Sequence, residues 1–344
     1  YYKSVPPNVA FIRATTCDSE GYATFEDEVM YLDALVIAEA VHNNGGIVMM
    51  QVQKMVKKAT LHPKNVRIPG YLVDIVVVDP QQTQLYGGAP VNRFISGDFT
   101  LDDSERVKIP LNQRKVVARR ALYEMKKQAI GNVGVGIADG IGLVAREEGC
   151  DEDFVLTVET GPIGGITTQG VAFGANVNTR AILDMTAQFD FYHGGGLDVC
   201  YLSFAEVDKE GNVNVHKFNG KIMGTGGFID ISATSKKIVF CGTLTAGGLR
   251  TEVGDGKLTI TQEGRVTKFV DHLPEITFSG KVALERGLDV RYVTERAVFT
   301  LKADGLHLVE VAPGVDIERD IVAKMGFKPV IDKDLKQMDA CIFT

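Results

Sequence analysis

Phe154-Val155-Leu156-Thr157-Val158-Glu159-Thr160-Gly161-Pro162-Ile163-Gly164-Gly165 is the stretch from which the rest of the chain is best read. Its first five residues are apolar or β-branched without alternation, which predicts a strand buried on both faces. A carboxylate follows where that run stops, and then a segment punctuated by glycine and proline. In open α/β sheets ligands gather where strands end, and glycine lets a substrate come close to the main chain. Two readings of Glu159 stay open at this point. It is an exposed loop carboxylate, as most glutamates are, or it is the nucleophile of a covalent mechanism.

Comparable runs recur outward from this one, near residues 133–135, 201–204, 238–241 and 291–294, with others at 9–12, 46–50 and 72–78. Between them lie helical patterns. Asn112 is placed to cap a helix carrying Val117, Ala121, Met125 and Ala129 on one face and stopping at Gly131. Residues 258–270 alternate and carry Glu263-Gly264, which predicts an edge hairpin turning there. A last helix is expected from Asp316 through Ile317, Ile321 and Met325 to Gly326. Continuous apolar strands alternating with helices predict α/β domains with open, largely parallel sheets.

The chain also repeats itself. Residues 10–21, an apolar run ending in Asp18-Ser19-Glu20-Gly21, match residues 200–211, which end in Asp208-Lys209-Glu210-Gly211. Each reads as a strand and a turn whose glycine takes a positive φ. Residues 46–50 match 237–241 at nearly the same offset. One α/β unit used twice explains both matches. The second copy has a long lead-in and the first almost none, so the first domain is expected to be incomplete, with a processed or truncated polypeptide opening at Tyr1. The expected division is 1–110 for the rear part of a first domain with its linker, and 111–344 for a second domain.

Composition narrows the functional classes. With 344 residues, 45% hydrophobic and 24% charged, the chain is an ordinary globular protein of roughly two domains. A formal net charge of −7 without a basic tract argues against nucleic acid as a partner. No apolar run reaches the roughly 20 residues that span a bilayer. The five cysteines are scattered without a C-x-x-C pair and the six histidines lack ligand spacing, so buried reduced thiols, a cytoplasmic setting and no metal site are expected.

Three further motifs carry possible chemistry. In Gly224-Thr225-Gly226-Gly227-Phe228, bare backbone N–H groups could converge on an oxyanion, or the segment could be a tight turn. Gly134-Val135-Gly136-Ile137-Ala138-Asp139-Gly140 follows a strand and opens a helix. It misses the dinucleotide spacing by one residue, but a helix start still favours an anion. Glu295, at another strand end, reads either as a second site carboxylate or as the partner of Arg296. Gly194-Gly195-Gly196 reads as a turn.

These segments together resemble the family I coenzyme A transferases, in the acetate/propionate branch. Thr157-Val158-Glu159-Thr160-Gly161-Pro162-Ile163-Gly164-Gly165 is similar to the family's glutamate motif. Residues 189–198, 211–215, 224–228, 240–248 and 292–299 match as well, so the resemblance covers essentially the whole chain. It implies two α/β domains of one type, with Glu159 forming a glutamyl-CoA thioester. It further implies Gly224, Gly226 and Gly227 in the active-site wall, and Gly134, Val135, Gly136, Ile137, Ala138 and Glu295 in contact with CoA. The substrates implied are acyl-CoA and short-chain carboxylic acids, with a coenzyme A thioester as substrate and covalent intermediate and no permanently bound cofactor. A homo-oligomer, completed by a missing N-terminal segment of the same protein, is implied too. The Gly-Gly-Phe motif that the family carries early in its first domain is absent here. A CoA-thioester hydrolase and a non-catalytic ligand-binding domain of the same fold are the alternatives.

Overall fold

The computed structural model describes residues 3–85, 91–102, 108–218 and 220–344, with Val171 described by its backbone alone. Parts of the expected linker, residues 86–90 and 103–107, lie outside the described residues. The chain forms two compact units: Tyr1–Asp102 with Glu159–Gln188, and Asp103–Val158 with Phe189–Thr344. Residues 159–188 thus group with the first hundred residues, not with their neighbours in sequence.

In the first unit the strands are β1 (Val9–Asp18), β2 (Ala23–Thr24), β3 (Ile47–Val56), β4 (Val66–Ile68) and β5 (Ile75–Val78), in the order β4-β2-β1-β3-β5. β1, β3 and β5 run parallel. Helix α1 (Ala34–Asn43) covers one face. There Ala10, Ile12, Ala14, Val48, Met50 and Val52 pack with Ala38 and Val41 in one core. Strand pleating sends the alternate residues to the other face, much of which is exposed among the described residues, although Arg13 and Gln51 on it are bonded to Glu28, Thr83 and Gln82. Val9, Ile47, Ile75 and Val77 are exposed on it, and Phe11 is 80% exposed.

The second unit begins with α2 (Gln113–Leu122). Its main strands are β6 (Ile130–Val133), β7 (Val155–Thr157), β8 (Val199–Ser203), β9 (Lys237–Cys241), β10 (Asp289–Val293), β11 (Ala297–Lys302), β12 (Gly305–Val311) and β13 (Val330–Gln337). They lie in the order β7-β6-β8-β9-β10-β11-β12-β13. The first five are parallel, and β11 turns back antiparallel on β10. Helices α3 (Ile141–Glu147), α4 (Phe228–Thr234) and α5 (Gly280–Glu285) punctuate the strands. Here both faces are covered. Cys200, Leu202, Ile238 and Phe240 enter one core, while Val199, Tyr201, Val239 and Cys241 enter another. That two-sided burial is why these strands read as unbroken apolar runs.

The internal repeat is visible in register. Ala10 faces Val48 across β1 and β3, and Cys200 faces Ile238 across β8 and β9. Both pairs are separated by the same offset in the chain. The two Asp-x-Glu-Gly turns also match bond for bond. Asp18 accepts the N–H groups of Glu20 and Tyr22, and Asp208 those of Glu210 and Asn212, at 2.9–3.1 Å. Gly21 and Gly211 sit at φ of 89° and 75°.

Several local expectations are corrected. Asn112 does cap α2, accepting from the N–H of Arg114 and Lys115, but the helix ends at Leu122. Gly131 lies inside β6, between Val199 and Leu156, where the missing side chain leaves room for the end of Met125. Strand β6 accordingly ends at Val133 and does not reach residue 135. The expected hairpin at Glu263-Gly264 is displaced. Lys257–Gln262 pairs with Arg250–Gly254 through Asp255-Gly256, whose φ values of 52° and 72° make the tight turn. Val266–Thr267 pairs instead with Thr245–Ala246. The last helix is a single wide turn, Ile317–Ile321, tightening into Val322–Lys324. It ends because Met325 is extended and the Gly326 N–H is held by the Phe269 carbonyl at 2.7 Å.

Candidate active site

Glu159 follows β7 by two residues, in a turn, and is half-buried. Its approach is rigid: Val158 is fully buried, and the Thr157 hydroxyl donates to the Gly131 carbonyl at 2.9 Å. The glycines beyond it serve close packing of chain on chain. A Cβ on Gly161 would lie 2.1 Å from the Leu183 carbonyl, and one on Gly165 would lie 2.4 Å from that of Val177. Both residues adopt positive φ. Pro162–Ile163 consequently pairs with Ala181–Ile182, and Ile166–Thr167 with Asn176–Val177. The sequence suggested backbone left bare for a ligand. At these two positions the neighbour that needs the space is the protein's own main chain. Thr160 is tied down as well, its hydroxyl donating to the Gly174 carbonyl at 2.7 Å.

The Gly224–Gly227 segment stands just before α4. Gly224 and Gly226 have φ of 82° and 51°, and open space surrounds the Cβ position of each. The Gly224 N–H is already committed, to the His216 carbonyl at 3.2 Å. Gly227 starts α4, its carbonyl accepting from Ile231, and a Cβ there would press on the Phe189 ring at 2.8 Å. Gly195, in the segment after His193, is a turn residue at φ 80°.

Gly134 to Ala138 leave the end of β6. Gly134 donates its N–H to the Tyr201 carbonyl at 2.8 Å, and Gly136, at φ 109°, lies where a Cβ would strike the Ser203 hydroxyl. Ser203 in turn donates to the Val135 carbonyl at 2.7 Å, and Arg114 donates to that of Gly136 at 2.6 Å. The loop's carbonyls are thus turned toward donors of the protein, while the Val135 side chain is 61% exposed.

Glu295 is wholly buried two residues after β10. Its carboxylate accepts from Arg296 Nε at 2.6 Å and from the Leu244 N–H at 2.9 Å. Arg296, equally buried, also forks onto Glu263 and donates to the Asp320 carbonyl at 2.9 Å. A buried ion pair is tolerable when its remaining hydrogen-bonding capacity is met in this way.

Sequence reading missed Lys268. It is only 9% exposed, and its ammonium stands 3.9 Å over the Phe204 ring. Burial pulls its pKa down to about 8, against a smaller opposing effect of Glu295. A lysine directly before the buried Phe269, inside an otherwise apolar alternation, was the available signal. Gly134, Phe204, Gly242 and Glu295 each follow the carboxyl end of one of the parallel strands β6, β8, β9 and β10. Ligands bind at this edge of such sheets. Among the described residues no group of three or more His, Cys, Asp or Glu is arranged to hold a metal ion, and no helix is long and apolar enough to cross a membrane.

Comparison with known proteins fits this arrangement. The family model for Coenzyme A transferase matches residues 1–79. The chain is 83% identical over 343 residues to Acetate CoA-transferase YdiF of Escherichia coli (strain K12), spanning all of this chain and 65% of that protein. The crystal structure of the acyl-CoA transferase from E. coli O157:H7 as a thioester complex with CoA superposes with a TM-score of 0.94 at 80% identity, covering all of this chain and 64% of that one. Caffeate CoA-transferase of Acetobacterium woodii is 41% identical over 351 residues, matching all of this chain and 67% of its own length. A chain with this fold, matched from end to end by such relatives, belongs to the coenzyme A transferase family.

Proposed function

We propose that the chain carries the catalytic glutamate of a short-chain acyl-CoA:carboxylate CoA-transferase, working by a ping-pong route through Glu159. The observation that carries the reading is the setting of Glu159. It is a half-buried carboxylate directly after a buried parallel strand, on a turn immobilised by chain-to-chain packing at Gly161 and Gly165. A nucleophile held at one position saves the entropy of finding it. The names of the relatives, and the CoA thioester complex of one of them, support the same chemistry.

In the first half-reaction a Glu159 oxygen attacks the thioester carbonyl. The C–S bond breaks, giving a mixed anhydride and CoA thiolate. The thiolate then attacks the Glu159 carbonyl, the carboxylic acid leaves as its anion, and a glutamyl-CoA thioester remains. A second carboxylate reverses both steps and departs as its CoA ester. The N–H groups of Gly226 and Gly227 are the proposed donors to the tetrahedral oxyanion, since that of Gly224 is engaged elsewhere. One such donor is typically worth about 3 kcal/mol of barrier. The loop from Gly134 to Ala138 is proposed to contact CoA. Glu295, being wholly buried, would act by holding Leu244 and Arg296 in place.

The largely exposed apolar face of β1, β3 and β5 bears on activity. Parallel sheets are covered on both sides, so we infer that a polypeptide segment from the part of the longer relatives outside the match packs there and completes the enzyme. A homo-oligomer in the cytoplasm, with no permanently bound cofactor, belongs to the same reading.

The decisive experiment incubates the protein, completed by that segment, with acetyl-CoA and follows intact mass. The expected result is an increment of one coenzyme A less one water, located to the peptide holding Glu159 and absent from Glu159→Ala. CoA release without any adduct, and without dependence on added acetate, would assign a hydrolase instead.

A further inference from the structure

The buried lysines of the second unit fall into two kinds. Lys115, 5% exposed, is paired with Glu147 at 2.6 Å, and its ammonium also donates to the Ile109 carbonyl. Lys268, 9% exposed, is somewhat less deeply buried, yet among the described residues no hydrogen bond or ion pair reaches its ammonium. Its surroundings are an aromatic face and bare main chain. Nζ lies 3.9 Å over Phe204, and it stands 2.9 Å from where a Cβ of Gly242 would be, so the missing side chain there leaves it room. The charge of Glu295 acts on it from the next strand end, but that carboxylate is already committed to Arg296 and Leu244.

An ammonium has three donors, and a buried charge without a partner is costly. A cation–π contact offsets part of that cost without using the N–H groups, and Nζ is not among the sealed side-chain atoms that lack a partner, so its donors stay open to solvent or to a ligand. The position adds direction. Phe204, Gly242 and Glu295 follow the carboxyl ends of three adjacent parallel strands, β8, β9 and β10, the edge on which such sheets take their ligands. A group that lowers stability while aiming charge at a ligand-binding edge has the signature of a functional residue.

We propose that Lys268, in the space left by the missing side chain of Gly242 and against the Phe204 ring, forms an oxyanion-binding subsite at the carboxyl edge of the second unit, the Gly242 N–H itself being held by the Val293 carbonyl at 3.1 Å. It takes a negatively charged oxygen group of the ligand, a carboxylate or a phosphate ester. The bound group takes the place of solvent at the N–H groups, with the Phe204 ring on the other side of the ammonium. Lys268 is therefore a positioning residue for an anionic ligand. The subsite rests on the geometry of the second unit, with no step routed through Glu159.

Isothermal titration of the full chain with sodium acetate and, separately, adenosine 3′,5′-bisphosphate tests this. Wild type, Lys268→Met and Lys268→Arg are compared, with circular dichroism confirming the fold of each. The expected result is that at least one probe binds the wild type, loses about tenfold or more with Lys268→Met, and stays within about threefold with Lys268→Arg, as a charge-assisted hydrogen bond requires. A loss confined to acetate assigns the subsite to a carboxylate, and one confined to the bisphosphate assigns it to a phosphate. Equal affinities in wild type and Lys268→Met overturn the proposal. So does the absence of binding by both probes, or a loss in Lys268→Arg as large as in Lys268→Met. Neither probe contains a thioester, so failure here leaves a Glu159 adduct untouched, and failure of the adduct leaves this result standing.

Discussion

Asp18 and Asp208 hold equivalent turns in the two copies of the repeat, each carboxylate accepting the backbone N–H groups two and four residues ahead. Each takes a third bond on its other oxygen, Asp18 from the Ala59 N–H at 3.2 Å and Asp208 from the Asn212 side chain at 2.9 Å, and Asn212 itself receives the Gly280 N–H at 2.9 Å. Both aspartates are 3% exposed. Substitution by alanine strands buried N–H groups, at about 1–3 kcal/mol. Asp208→Ala should be the more damaging of the two because a second side chain loses its anchor. Asn at either position retains one acceptor oxygen and should lose less. Urea unfolding of the four variants measures this, and equal stabilities for the Ala and Asn pairs would contradict it.

Gly161 and Gly224 both have positive φ but differ in surroundings. Alanine at Gly161 must displace the Leu183 carbonyl, whereas at Gly224 it meets open space. Gly224→Ala should cost only the strain of the left-handed backbone, on the order of 1 kcal/mol. Gly161→Ala should cost several times that and, under the proposed function, shift the turn bearing Glu159 and lower kcat. Thermal unfolding gives the first comparison and turnover the second. A Gly161→Ala protein with wild-type stability would refute the packing role assigned to that glycine.

The pair Glu295 and Arg296 predicts an asymmetry. Removing Glu295 leaves a wholly buried guanidinium with one of its two carboxylates gone and the Leu244 N–H unsatisfied. Glu295→Ala should cost about 3–5 kcal/mol. Glu263 also binds Arg296 but is half-buried, so Glu263→Ala should cost distinctly less. Denaturant midpoints of the two variants decide the ranking.

Lys268 makes stability depend on pH in a definite direction. Its folded pKa is about 8, against 10.5 for an ordinary lysine. Below pH 8 both states hold the proton, and the folded protein bears the full cost of the buried charge, up to about 3 kcal/mol. Between pH 8 and 10.5 the folded state sheds the proton first, so this contribution to stability rises with pH. Lys268→Met should therefore be more stable than wild type at pH 7, with the gap closing toward pH 10.5. Parallel thermal melts across that range check it, and a pH-independent gap would not fit.

Legibility in the sequence followed how local each cause is. The parallel strands were readable because burial on both faces leaves an unbroken apolar run, as at residues 238–241. The Asn112 cap was readable because its bonds reach only to Arg114 and Lys115. The end of α2 was not, since Gly131 answers to strands β7 and β8, distant in sequence. The hairpin was misplaced for a related reason. Two Gly-containing turns competed, and cross-strand pairing selected Asp255-Gly256 over Glu263-Gly264.

By itself the sequence determined the α/β class, the duplicated unit with its Asp-x-Glu-Gly turns, and Glu159 as the carboxylate to examine. Periodicity and turn chemistry are written in adjacent residues, and so are these features. Tertiary structure alone decided that Gly161 and Gly165 make room for the protein's own carbonyls, that Glu295 is sealed against Arg296, and that the Lys268 ammonium stands over the Phe204 ring with no ion-pair or hydrogen-bond partner among the described residues. Each of those depends on which distant segment packs alongside, and packing is a property of the folded chain that no local pattern encodes.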